Sequence, residues 1–78
     1  MSNEVTTFGI IKALKVSGEF CSARMVARLA NIDASSENLQ MIIDEMYDFK
    51  ELGFLEVSKE NAGKRPWFKI ADMYENNA

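Results

Sequence analysis

The apolar residues change period once along the chain, at Gly53, and that change limits the folds open to it. Upstream, Leu39, Ile42, Ile43, Met46 and Phe49 recur every three or four residues, the stripe of an amphipathic helix. Downstream, Leu55 and Val57 alternate with Glu56 and Ser58. Pro66, Phe68 and Ile70 then alternate with Arg65, Trp67 and Lys69, so both runs have the period of half-buried strands. Asn61-Ala62-Gly63 between them is a turn signal, and the pair is expected to form a β-hairpin. Pro66 has no amide to donate and belongs at an edge or a non-bonded position.

Two shorter helical segments precede the stripe. Phe8, Ile11 and Leu14, with Ile10 beside them, predict a helix from about Thr6 to Val16 that Ser17-Gly18 ends. Glu19-Phe20-Cys21 has room for a brief extended piece. Ser22 stands where an N-cap belongs, ahead of a helix over Ala23 to Ala30. Met25, Val26 and Leu29 are expected on its buried side, and Arg24 and Arg28, four apart, on an exposed one. Asn31-Ile32-Asp33-Ala34 is a break in which Asn suits a left-handed turn. Ser35 or Ser36 caps the third helix, with Glu37 near its positive end.

The 78 residues hold one domain at most. No repeat or low-complexity run divides them. The polar ends are expected to be flexible tails at 1–4 and 73–78, around a single domain over 5–72. With 47% hydrophobic and 27% charged residues the composition is that of an ordinary soluble globular chain. Histidine is absent and Cys21 is the single cysteine. Histidine acid–base chemistry, a Ser-His-Asp triad, a Cys/His zinc site and an internal disulfide are thereby excluded. The acidic residues lack the alternating spacing of a calcium loop, and no carboxylate pair stands out as catalytic. Neither an enzyme nor a metal, cofactor or small-molecule substrate is expected. A lone thiol, no secretory leader and no long apolar run point to a cytoplasmic protein away from membranes.

Helix, short extended piece, helix, turn, helix and hairpin is the order of the winged helix-turn-helix domain, which the chain resembles from about Thr6 to Ile70. The resemblance runs through Ser-Ala-Arg-Met-Val-Ala-Arg-Leu-Ala from Ser22, Ser-Ser-Glu-Asn-Leu-Gln from Ser35, and Glu-Leu-Gly-Phe-Leu-Glu-Val from Glu51. Lys50-Glu51-Leu52-Gly53-Phe54-Leu55 is similar to the helix-to-wing junction of small bacterial and phage regulators. A looser similarity is to the short fimbrial-operon regulators. The resemblance implies three helices with a two- or three-stranded wing, and transcription regulation through double-stranded DNA.

Several residues carry that expectation. Lys64, Arg65, Trp67 and Lys69 crowd into six positions of the wing, and Arg65, Trp67 and Lys69 share the face opposite Phe68 and Ile70. A basic face with an aromatic suits phosphate contact and stacking; the bland reading packs Trp67 on the first helix. The third helix, expected to enter the major groove, offers Ser36 for phosphate and Gln40 for adenine, beside Glu37, Met41 and Asp44. Arg24 and Arg28 suit phosphate contacts from the preceding helix, or ion pairs with Glu19 or third-helix acids.

The formal charge of −3 argues against bulk non-specific binding and leaves room for a local basic face. The alternative is a protein-binding adaptor or inhibitor. It would use Trp67 or the acidic face with Asp44, Tyr47, Asp48 and Glu51, a face whose bland role is solubility. One domain makes few base contacts, so a homodimer or partner is expected. Met25 and Met46 read as core filler, Met41, Tyr47 and Met73 as exposed, and Cys21 as an incidental thiol.

Overall fold

Three hydroxyl side chains start three helices. Thr6 accepts from the Gly9 amide at 3.0 Å ahead of α1 (Thr7–Ser17). Ser22 accepts from Met25 at 3.3 Å ahead of α2 (Ala23–Leu29), and Ser35 from Asn38 at 3.2 Å ahead of α3 (Ser36–Glu51). Each cap satisfies an amide that the helix itself leaves open. Gly18 closes α1 in the left-handed conformation, φ 67°, its amide donating to the Leu14 carbonyl at 3.0 Å. Asn31 takes the left-handed turn between α2 and α3 at φ 56°, as its side chain permits. These features come from a computed structural model, which describes residues 3–58 and 66–72.

After α3, Gly53 turns the chain at φ 87° into β1 (Leu55–Val57). β1 pairs antiparallel with β2 (Phe68–Ile70), setting Leu55 opposite Ile70, Glu56 opposite Lys69 and Val57 opposite Phe68. The Ser58 amide extends the ladder to the Trp67 carbonyl at 2.8 Å. On the other edge of β2, Cys21 and Phe68 exchange both backbone hydrogen bonds, at 2.7 and 2.8 Å. The extended piece before α2 therefore adds a third segment to the sheet, with β2 in the middle. The expected turn at Asn61-Ala62-Gly63 lies outside the described residues.

The core gathers one face of each element. α1 supplies Ile10, Ala13 and Leu14, α2 supplies Ala23, Val26 and Ala27, and α3 supplies Ile42 and Met46. Leu55, Phe68 and Ile70 close it from the sheet, with Cys21 and Ile32. Leu39, Ile43 and Phe49 pack half-buried against this cluster, so the third-helix stripe is the one expected. Tyr47 reaches down to set its ring edge-on to Phe68, centroids 5.1 Å apart. The Cys21 thiol is fully buried and donates to the Ser17 hydroxyl at 3.0 Å.

Three expected core positions are corrected. Phe8 lies 76% exposed, because α1 turns inward a stripe of Ile10, Ala13 and Leu14 that keeps Leu14 of the spacing-three set and leaves Phe8 outside. Met25 and Leu29 are likewise on the surface, since α2 buries its small residues Ala23 and Ala27 around Val26 and lets the backbone come close. Asn3, placed by composition in a tail, is held against the end of α2. Its side-chain amide donates to the Ala30 carbonyl at 2.8 Å and its backbone amide to Asn31 at 2.6 Å.

Candidate nucleic-acid interface

The N-terminal turn of α2 faces the residues leading into β2 across a cleft of about 230 Å³. Ser22, Arg24, Leu39, Ile43, Pro66 and Trp67 line it. Sheet pairing explains the meeting. Cys21 is hydrogen-bonded to Phe68, so the residues that follow Cys21 and those that precede Phe68 emerge side by side. Arg24 and Trp67, forty-three positions apart by subtraction (67 − 24), thus share one surface. Trp67 is half-buried and lines this cleft with residues of α2 and α3.

Arg24 and Arg28 are both exposed, and neither has an ion pair within 4 Å among the described residues. The expected pairing with Glu19 or with acids of α3 does not form there. Ser36 stands exposed in the first turn of α3. Gln40 is exposed one turn on, but its amide donates to the Asp44 carboxylate at 2.9 Å. Lys69 alternates with Phe68 and Ile70 as expected, yet its side chain is only 19% exposed. Its ammonium lies 3.0 Å from Asp72 and 6.0 Å from the centre of the Phe20 ring. Lys64 and Arg65, the other two wing cations, lie outside the described residues, as does Met73.

The acidic residues gather elsewhere. Asp44, Asp48 and Glu51 are exposed along α3, and Tyr47 is 39% exposed among them. Lys50 is the one cation on this stretch and sits 3.6 Å from Glu51. α3 therefore presents exposed Ser36, Glu37 and Gln40 early and further carboxylates later, while the guanidiniums project from α2.

Sequence alone named Arg24 and Trp67 but not their meeting. Leu39, Ile43, Pro66 and Ser22 entered the cleft unannounced, because the Cys21–Phe68 pairing that gathers them is a long-range backbone contact. The Lys69–Asp72 pair carried a signal, opposite charges three residues apart.

Among the described residues no group of three or more His, Cys, Asp or Glu side chains is placed to hold a metal, and no helix is long and apolar enough to cross a membrane. In comparisons with known proteins, no family model, no curated protein and no solved structure matches the chain.

Proposed function

We propose that the chain is a winged helix-turn-helix protein that binds double-stranded DNA and regulates transcription in the cytoplasm, without catalysis. The observation that carries this reading is the shared cleft of Arg24 and Trp67, which sets a free guanidinium beside an aromatic ring next to α3. The element order and the position of β2 between Cys21 and β1 support a wing built on three segments. The buried free thiol of Cys21 suits a reducing compartment.

In this reading Arg24 and Arg28 grip phosphates on one strand, and Trp67 with the basic wing braces the neighbouring backbone. Ser36 and Gln40 lead α3 into the major groove. Gln40 must exchange Asp44 for a base edge, a trade between two exposed hydrogen bonds worth about 0.5–1.5 kcal/mol each. Lys69 likewise exchanges Asp72 for phosphate. Carboxylates further along α3 repel phosphate and limit how deeply the helix seats.

Salt dependence tests the assignment. Fluorescence anisotropy with a mixed-sequence duplex should show affinity falling with salt, and Arg24→Ala should weaken binding and lower the log–log slope by about one. Unchanged affinity and slope in Arg24→Ala would remove the α2 contact from the interface.

A second reading has its own observation. Met41, Tyr47, Asp48 and Glu51 form an exposed, mixed apolar and acidic surface on α3. That is the chemistry of a docking face for a basic protein, and the same fold would then serve as an adaptor or inhibitor.

A further inference from the structure

We propose that the Arg24–Trp67 cleft takes one unpaired nucleotide, its base on the Trp67 ring and its phosphate on Arg24, an assignment that rests on the nucleic-acid reading of this surface and refines it. Trp67 has no ring, cation or side-chain hydrogen-bond partner among the described residues, and its indole N–H is open to solvent. Arg24 is exposed and likewise without a partner among them. An aromatic ring and a guanidinium that the fold does not use for itself therefore line one cleft of about 230 Å³.

The walls select the occupant. Leu39, Ile43 and Pro66 give the cleft apolar sides, and among the described residues no carboxylate lines it. Its polar side chains are Arg24, the Trp67 indole and Ser22. The Ser22 oxygen already accepts from the Met25 amide, which leaves the hydroxyl hydrogen to donate. The cleft thus offers donors, a positive charge and a flat aromatic surface. A nucleotide answers all three, with acceptors on the edge of its base, a phosphate, and a planar ring that stacks. Arg28, exposed one turn further along α2, gives a second positive charge for the neighbouring phosphate. A fully paired duplex presents no free base face. To fill the cleft it must unstack and unpair a nucleotide, a cost that is least where the nucleotide is already unpaired. The surface therefore holds DNA with a bulge, gap or single-stranded stretch more tightly than blunt duplex.

Trp67 is the chain's single tryptophan, so its emission reports on the cleft directly. The full chain is titrated at low salt with a blunt duplex, with the same duplex carrying one unpaired thymidine, and with oligo-dT, while the anisotropy of labelled DNA gives the affinity. The duplex with the unpaired thymidine should quench Trp67 and bind roughly five- to 150-fold tighter than the blunt one, the range of one base stacked on an aromatic ring. Oligo-dT should quench it as well. Trp67→Leu should erase the preference between the two duplexes, and Trp67→Phe should keep part of it. Arg24→Ala, at an exposed position, should weaken oligo-dT binding with the circular dichroism of the free protein unchanged. Where the Trp67 variants do not fold, the preference and quenching of the parent chain decide. Equal affinity for the two duplexes with Trp67 emission unmoved overturns the base site and leaves the duplex reading standing, whereas failure to bind any of the three DNAs overturns both. Quenching by an acidic, tyrosine-bearing peptide and not by oligo-dT overturns it in favour of a protein ligand.

Discussion

Gly53 isolates the cost of a left-handed backbone. A Cβ added there would meet nothing within 4 Å, so space is not the constraint, and its φ of 87° is. Gly53→Ala should therefore destabilise the fold by ~1–2 kcal/mol through conformation alone. Urea denaturation measures it, and Gly53→Asn, which tolerates this region better, should lose less. Equal stability of Gly53→Ala and the parent would mean that the junction relaxes away from the left-handed turn. Gly18 plays the comparable part at the end of α1, with the added tie of its amide to Leu14. Both glycines sit where a helical pattern stops in the sequence, which is why these two boundaries were legible without coordinates.

Among the elements, α3 was the most legible and α2 the least. In α3 the apolar side chains are large, recur at helical spacing and alternate with charge, so pattern and burial agree. In α2 the largest apolar side chains, Met25 and Leu29, are outside, and the buried face is alanine around Val26. Counting hydrophobicity favours big residues, whereas close helix approach favours small ones, and nothing local reveals which rule wins. α1 failed at Phe8 for a related reason. Its spacing with Ile11 and Leu14 is helical, but the packed stripe runs through Ala13. The residues of the Arg24–Trp67 cleft were legible as types and not as a group, since the cleft depends on one backbone pairing.

The later face of α3 also yields a test at this scale. Reversal of Asp48 and Glu51 to Lys should abolish association with a basic protein partner, in a pull-down or by calorimetry, if that surface is the docking site. The same double variant should bind DNA more tightly if α3 is inserted in a groove, because two repulsions become attractions. The two readings thus move in opposite directions under one change.

At the scale of the whole molecule, β2 joins parts that the sequence keeps far apart. Phe68 is fully buried, bonded on one edge to Cys21, paired on the other with Val57, and capped by the Tyr47 ring. The sheet, α1 and α3 and the segment leading into α2 meet at this strand, which leaves little of the core able to loosen independently.

That arrangement gives the protein an internal clock. Its single sulfhydryl lies at the seam, sealed from solvent and attached to the strand that closes the fold. An alkylating or disulfide reagent can reach it only when the seam parts. Modification under native conditions should run slower than in urea-unfolded protein by a factor on the order of a thousand or more, the unfolding equilibrium of a domain with ~5 kcal/mol of stability. Modification near the unfolded rate would mean that the seam breathes without the rest. The rate of Cys21 alkylation thereby reports the fraction of native molecules in which the seam is open, with no label built into the chain.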